Sequence, residues 1–371
     1  MEKTVIGFDA KRVVRNGTGL GNYCRTLVND LQRVAPADWQ LRLYSPDKGR
    51  DDLRRQVAET ERLTFVYPQH RPLKVQRSLW RIGPIVDDLR RDGVQLYHGL
   101  TGELPRGLRR AGIPSVVTIH DLIFLRHPEY YHWADVKIYA WKFRQTVHEA
   151  DHIIAISECT KRDILHYAPA VDPSRITVIY QSCAPHFCLS NSQSKFDKRY
   201  ILSVGSIEAR KNILLAVKAL PYLPDDLSLL IVGRHTPYAD EVSAYAEAHG
   251  LSHRVTIRHN VTDAELPALY AGAEVFVYPS RYEGFGIPII EAVSSGLPVV
   301  ACTGSCLEEA GGPDSLYVDP DDAEAMAAAI RQVLRGADGR EERIRRSCDY
   351  IRRFEGHDVA AQVYDLYHSL L

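Results

Sequence analysis

The sequence predicts an α/β protein built from two doubly wound parallel sheets. Short apolar runs rich in β-branched residues alternate with segments whose apolar residues recur at helical spacing, the pattern of a parallel sheet covered by helices on both faces. The alternation occurs twice, in residues 1–183 and again in 198–356, with 184–197 between them. That stretch contains Pro185 and a Ser/Asn/Gln-rich portion from Ser190 to Ser194, so it reads as a linker. A chain of 371 residues is long enough for two domains of ordinary size, each with its own core.

In the first series, Val5–Asp9, Leu41–Tyr44, Leu63–Val66, Val94–Tyr97, Ser115–Ile119 and Ile153–Ile156 read as strands. The first of them leads into Asn16-Gly-Thr-Gly-Leu-Gly21, after which Tyr23, Leu27 and Leu31 recur at helical spacing. The glycine spacing is not the dinucleotide fingerprint; it fits backbone N–H groups facing a phosphate and equally an ordinary turn. Ligands of such sheets gather beyond the strand C-termini, which draws attention to His98 and to His120, the latter beside Asp121. His98 reads as a structural hydrogen-bonder and His120 as the better functional candidate. Residues 71–91 interleave six arginines and lysines with Leu73, Leu79, Trp80, Ile82 and Ile85. They form either a basic amphipathic surface for a membrane or a half-buried helix with a solvated basic face. The aromatic stretch Tyr130 to Trp141 reads as core and loop packing sooner than as a sugar platform.

In the second series, strands are expected at Tyr200–Val204, Leu227–Val232, Val255–Ile257, Val275–Tyr278 and Pro298–Ala301. Helices are expected at 213–220, 239–248, 264–271 and from Pro288 onward. Two loops stand out. Gly205 to Asn212 places Arg210 and Lys211 where a strand hands over to a helix, a position where adjacent cations suit a diphosphate or form a plain surface pair. Tyr278 to Glu291 runs from a buried strand through Gly284 and Gly286, with Pro288 at the first helical position. Glu283 and Glu291 thus bracket a helix N-terminus, which attracts anions; the alternative is a turn carrying two solvated glutamates. The remaining helices, 323–334, 341–354 and 357–371, are amphipathic, the last with Val359, Val363, Leu366 and Leu370 on one face.

The composition, 45% hydrophobic and 25% charged, is that of an ordinary globular chain. No apolar run reaches the roughly 18 residues of a membrane span, and the N-terminus lacks a signal peptide's regions, so a cytoplasmic protein is expected. Seven cysteines without a Cys-x-x-Cys pair suit reduced thiols, and the pairs Cys183/Cys188 and Cys302/Cys306 read as small buried residues rather than zinc ligands. Asp319, Asp321 and Asp322 could suggest magnesium, but a helix cap fits them better, and no metal is expected. A net charge of −1 hides an asymmetry: residues 1–190 hold 28 Lys+Arg against 21 Asp+Glu, leaving 18 against 26 beyond. The basic half suits an anionic partner such as a membrane face; no nucleic acid is called for.

Taken in order, Gly19-Leu20-Gly21, His120-Asp121, Ser157-Glu158, Gly205 to Asn212 and above all Glu283-Gly-Phe-Gly-Ile-Pro-Ile-Ile-Glu291 resemble the retaining nucleotide-sugar glycosyltransferases of family 4. The last is the family's Glu-x7-Glu motif. The resemblance implies the GT-B fold, two Rossmann-like domains facing across a cleft, with the first binding acceptor, the second binding nucleotide-sugar, and helix 357–371 returning to the first. It implies that Glu291 binds the donor ribose and that Glu283, with the backbone at Phe285, Gly286 and Ile287, holds the donor sugar. It further implies that Arg210 and Lys211 bind the diphosphate, that Gly19 closes on it, and that His120 contacts the transferred sugar. Base recognition would fall near Arg258 to Val261.

The implied reaction is hexosyl transfer with retention, through an oxocarbenium-like transition state, with no metal and no cofactor beyond the nucleotide-sugar co-substrate. Two departures bear on it: Ser206 stands where many members have Arg, and Asn22 where the nearest subgroup often has Arg. That subgroup, suggested by Thr18-Gly-Leu-Gly and Glu208-Ala-Arg-Lys-Asn, resembles bacterial mannosyltransferases that build O-antigen or other surface polysaccharide. GDP-mannose is therefore the expected donor and a glycan or lipid-linked saccharide the expected acceptor, at the inner face of the cell membrane. The alternatives are another GT-B activity, such as UDP-sugar transfer or epimerisation, and a non-catalytic sugar-nucleotide sensor.

Overall fold

The computed structural model describes residues 3–69, 73–181, 199–354 and 356–371. The expected linker, Cys183 and Cys188 lie outside them. The chain divides into two compact units, Met1–Gln181 with Gly356–Leu371, and Ser182–Glu355.

The first unit carries seven strands: β1 (Thr4–Asp9), β2 (Trp39–Tyr44), β3 (Leu63–Val66), β4 (Leu96–Gly99), β5 (Ser115–Ile119), β6 (His152–Ala155) and β7 (Ile176–Val178). They are ordered β3-β2-β1-β4-β5-β6-β7, and neighbouring strands are parallel. The second unit carries β8 (Arg199–Val204), β9 (Leu227–Val232), β10 (Val255–Arg258), β11 (Val275–Tyr278), β12 (Val299–Cys302) and β13 (Leu316–Val318). Their order is β10-β9-β8-β11-β12-β13, again all parallel. Both sheets are doubly wound, and the winding reverses between β1 and β4 in one and between β8 and β11 in the other. The central strands are buried on both faces, as β9 and β11 are at every residue, which is why they read as continuous apolar runs rather than alternating ones. Strands β7 and β13 are absent from the sequence reading; three residues are too few to carry a periodicity.

The C-terminal helix, Gly356–Leu370, belongs to the first unit. Val359, Ala360, Val363 and Tyr367 enter the core beside Leu27, Leu31 and Trp39, and Leu366 and Leu370 pack at its margin. The Tyr367 ring stacks on Trp39, and its hydroxyl lies in hydrogen-bond contact with Nδ1 of fully buried His98 at 2.5 Å. Burial pushes the His98 pKa down to about 3, so the ring is neutral, with Nε2 2.8 Å from Thr118 Oγ1. The structural reading of His98 describes what this ring does.

From Leu73 onward the basic segment forms two short helices, Lys74–Trp80 and Ile85–Arg91, interrupted at Pro84. Trp80 and Ile85 are fully buried, Trp80 donating from its indole to Asp88 at 2.6 Å, and Arg81 turns inward to Asp9 and Glu103. The stretch Tyr130 to Trp141 is not core: Trp133 is 65% exposed, Ile138 50% and Trp141 46%. It opens the helix Trp133–Glu149, which buries Phe143, Thr146 and Glu149 on its other side.

Tyr367→Phe keeps the packed ring and removes the hydrogen-bond partner of His98 Nδ1. Leaving a buried polar group unsatisfied costs about 1–3 kcal/mol, so the variant's urea midpoint should fall while its far-ultraviolet circular dichroism is unchanged.

Candidate functional site

In the second unit, β8 and β11 lie side by side where the winding reverses, Val275 opposite Ile201 and Phe276 opposite Leu202. The loops leaving their carboxyl ends therefore emerge together, the position where doubly wound sheets bind ligands. Gly205 begins the first loop with φ +148°, and Arg210 and Lys211 lie in a 3-10 turn at its end. The second loop runs from Pro279 to Gly286, whose φ of +114° turns the chain into the helix Ile287–Ser294. A side chain at 286 would be strained by that angle, and its Cβ would press on Leu307. Pro288 is the second helical residue, one later than expected, and still lies where a missing N–H breaks no helical bond. The two loops are tied directly by the Arg281 N–H donating to the Arg210 carbonyl at 2.9 Å.

Glu283 is the centre of this arrangement. Its Oε1 lies 2.9 Å from Arg210 Nη1 and 2.5 Å from Lys211 Nζ, and it also accepts from the Ser280 hydroxyl. Burial by itself would favour the neutral acid, but the two cations outweigh it and hold the carboxyl down to about 2. Arg210 also donates to the Tyr282 carbonyl at 2.6 Å and to Glu208 at 2.7 Å, while Ser206 Oγ donates to Glu208 at 3.0 Å. Lys211 donates to the Tyr278 hydroxyl at 2.5 Å and lies over that ring. Behind the loop, the Cys306 thiol donates to the carbonyls of Glu283 and Phe285, at 3.1 and 2.8 Å. The Phe285 ring is buried edge-on to Phe354, which leaves the backbone of Phe285, Gly286 and Ile287 as what this turn has to offer a ligand. Cys306, Ser280, Tyr278 and Glu208 belong to the site and were not picked out from sequence as site residues; only their spacing to Glu283 and Arg210 in the strand-end loops could have marked them.

Glu291 has the opposite environment. Burial raises its carboxyl to about 7, opposed by a hydrogen bond from the Tyr270 hydroxyl at 2.9 Å. The two motif glutamates, eight residues apart, are thus held in different charge states, one ionised and one close to half-protonated at neutral pH. Asp319, Asp321 and Asp322 do not converge: Asp322 caps the helix Ala323–Arg331, Asp321 pairs with Arg281, and Asp319 accepts from the Asp321 N–H.

In the first unit, Gly19 opens the helix Gly19–Val34 behind Thr18, and a Cβ there would meet nothing within 4 Å. Gly21 is the constrained glycine, since a Cβ on it would collide with the Asn16 carbonyl. Asn16 Oδ1 accepts from the Thr18 N–H, the Thr18 hydroxyl and the Gly21 N–H, so its side chain organises the loop. Asn22 accepts from Arg25 at 2.5 Å. His120, at the end of β5, is buried, and burial lowers its pKa to about 4. Its Nε2 donates to the Leu100 carbonyl, its Nδ1 lies 2.9 Å from the Gln181 amide nitrogen, and Tyr23 packs edge-on against the ring. Near the ends of β1 and β4 lies a charged cluster that sequence reading missed. Arg81 bridges Asp9 at 2.5 Å and Glu103 at 3.0 Å, and Lys142 reaches Glu103 at 2.9 Å.

Known proteins agree with this architecture. Residues 17–182 match the model of Glycosyltransferase Family 4, and residues 189–348 match that of the group 1 glycosyl transferases. O-antigen chain mannosyltransferase B of Escherichia coli is 30% identical, over 95% of this chain and 96% of that protein. The chain belongs to glycosyltransferase family 4. A second relative of this family-4 chain, O-antigen chain mannosyltransferase RfbU of Salmonella typhimurium, is 32% identical over 67% of this chain and 68% of that one. Among solved structures, a sucrose-phosphate synthase from Thermosynechococcus elongatus superposes with a TM-score of 0.80 at 21% identity, covering 99% of each chain. Anabaena HepE in complex with UDP and glucose superposes with a TM-score of 0.75 at 16% identity, covering 100% of each. At these identities the structures speak for the fold alone, and that fold is GT-B.

The two carboxylates give the glycosyltransferase opposite pH signatures. Glu283, depressed to about 2, contributes stability that is present above pH 4.5 and lost as pH falls toward 2. Glu291, raised to about 7, takes up a proton on folding, so its contribution declines as pH rises from 4.5 to 7. Relative to the parent, Glu291→Gln should gain stability through that window, reaching on the order of 2 kcal/mol after allowance for its partial exposure. Urea melts at pH 5 and pH 7.5 read the difference, and an equal gap at both pH values contradicts the assignment.

Proposed function

We propose that this chain is a retaining mannosyltransferase that moves mannose from GDP-mannose onto a glycan or lipid-linked saccharide in surface polysaccharide synthesis. The observation that carries the donor sugar is the E. coli O-antigen mannosyltransferase matched along nearly its whole length. The Arg210–Lys211–Glu283 cluster supports the chemistry. In this reading Arg210 and Lys211 bind the donor diphosphate and stabilise the charge that develops on it as the C1–O bond breaks, so transfer requires no metal. Glu283 and the backbone at Phe285, Gly286 and Ile287 hold the sugar, Glu291 the ribose, Gly19 approaches the diphosphate, and His120 contacts the sugar.

Retention then comes from attack on the face the leaving group has left. The acceptor hydroxyl oxygen bonds to C1, and its proton passes to the departing phosphate oxygen. Glu283 is poorly suited to be a covalent nucleophile, because the same oxygen, Oε1, already accepts from Arg210, Lys211 and Ser280. A trapped, kinetically competent glycosyl-Glu283 species would rule out this route. A thermal-shift series against GDP-, UDP- and ADP-sugars tests the donor, since a ligand of the native state raises the melting temperature. GDP-mannose should give the largest rise; a UDP-sugar doing so would overturn the choice. Lys211→Ala should lower mannosyl transfer by about 10²-fold or more, and turnover within threefold of the parent removes Lys211 from the diphosphate site.

The acceptor reading extends to an anionic membrane face, now for different residues than the sequence suggested. Trp133, Lys137, Trp141, Arg144 and His148 recur every three or four residues along the helix Trp133–Glu149, on its exposed side. Lys137 lies over the Trp133 ring and Arg106 over the Trp141 ring. Arg106 also donates its N–H to the carbonyl of Ile82, itself 45% exposed. Tryptophan interleaved with cations suits the headgroup level of a bilayer. The parent should co-sediment with phosphatidylglycerol-containing vesicles and not with phosphatidylcholine alone. Replacing Trp133 and Trp141 by Ser should reduce that partition at least tenfold, and undiminished binding would discard this surface.

A further inference from the structure

Two histidines of the first unit are buried and neutral, but only one lies where the proposed reaction puts it near the sugar, and its hydrogen bonds restrict what it can be. A backbone carbonyl only accepts, so the contact of His120 Nε2 with the Leu100 oxygen at 2.9 Å requires a proton on Nε2. A neutral imidazole has one N–H, which leaves Nδ1 with a lone pair. The group facing that lone pair, at 2.9 Å, is the side-chain amide of Gln181, and both side chains are buried. The amide's NH2 end meets the lone pair; its oxygen would meet it with repulsion. Tyr23 packs edge-on at 4.8 Å, and Thr160 Oγ1 donates to the His120 carbonyl, so the ring is held on several sides.

We propose that Gln181 is a positioning residue that locks His120 as the neutral Nε2–H tautomer. The consequence rests on the reading that His120 contacts the transferred sugar. That sugar acquires positive charge as it approaches an oxocarbenium-like state, and an imidazolium beside it would raise the barrier by like-charge repulsion, whereas a neutral ring does not. In the protonated ring, both nitrogens would carry hydrogens, and Nδ1–H would face the amide hydrogens of Gln181. With its NH2 end toward Nδ1 the amide favours the neutral form, and the imidazolium would require the amide to turn over. The Arg12 guanidinium also disfavours positive charge on the ring, and His98 and Tyr23 are themselves held neutral by burial. Burial lowers the pKa of His120 in the same direction, but burial alone does not choose between the two tautomers; the Leu100 carbonyl and the Gln181 amide do.

Gln181→Glu reverses the selection with nearly the same shape. A carboxylate at Nδ1 only accepts, so both nitrogens must then donate and the ring becomes an imidazolium. Long-range 1H–15N spectra of the full-length protein between pH 4.5 and 9 read the state of His120 directly. In the parent, His120 should be the neutral Nε2–H form from about pH 5.5 upward. In Gln181→Glu its pKa should rise by two units or more. Mannosyl transfer at pH 5, where a pKa raised by two units leaves about nine-tenths of the rings protonated, should fall about tenfold below the parent and recover as pH rises and the ring loses its proton. Gln181→Met, uncharged and of similar length, should raise the histidine pKa by a smaller amount, so the inference is still readable if the carboxylate perturbs folding. A His120 that titrates identically in parent and variants overturns the positioning role. A pKa that moves as expected while the pH profile of transfer stays fixed upholds the hold of Gln181 on the ring and instead removes His120 from contact with the reacting sugar.

Discussion

A carboxylate taken out of water must find positive partners or take up a proton, and Glu283 meets that requirement with Arg210 and Lys211. Much of the second unit's strand-end geometry follows from this constraint. The cations sit on the loop after β8 and the carboxylate on the loop after β11, so the two strands must be neighbours, and the reversal of winding between them makes them so. The main-chain bond from Arg281 to Arg210 closes the loops on each other, and the Cys306 thiol anchors the carbonyls on either side of Gly284. The diphosphate proposed for Arg210 and Lys211 would meet donors already aimed and partly neutralised. It therefore has to compete with Glu283 and Glu208 for them, and the competition favours a ligand that carries more charge than either carboxylate.

The ionisable groups proposed for the reaction are sorted by environment rather than by residue type. Glu283 stays charged because cations outweigh its burial; Glu291 is pushed toward neutrality by burial, which the Tyr270 hydroxyl only partly opposes. His98 and His120 are held neutral because burial penalises the charged ring. The charged cluster of Asp9, Arg81, Glu103 and Lys142 in the first unit obeys the same rule as Glu283, with Glu103 held down to about 2 by its two cations against the opposing effect of burial.

The basic segment and the aromatic segment exchange roles between sequence and structure, and the reason is packing. Arg81 has the composition of a solvated face, yet it turns inward to pair with the buried Asp9 carboxylate at the end of β1 and, with Lys142, with Glu103. Trp80, flanked by Leu79 and Arg81, is fully buried, while Trp133 and Trp141 point outward because Phe143 and Thr146 already occupy the inner side of their helix. Helical spacing says which residues share a side; it does not say which side meets the core.

The α/β class, nearly all strands and the two motif loops were legible in the chain because each depends on local pattern. Buried parallel strands need apolar runs, a turn at Gly286 needs a residue that tolerates positive φ, and a helix start accepts proline. Family membership was legible for the same reason, through ordered motifs at set intervals. What lay beyond reach depends on partners distant in sequence. Tyr367 on His98, Gln181 on His120, Cys306 behind Glu283 and Tyr270 on Glu291 are separated by 269, 61, 23 and 21 residues. Sequence set out the residue types; only the tertiary structure decided which of them carry charge, because protonation depends on burial and on the few groups that folding brings within hydrogen-bond distance.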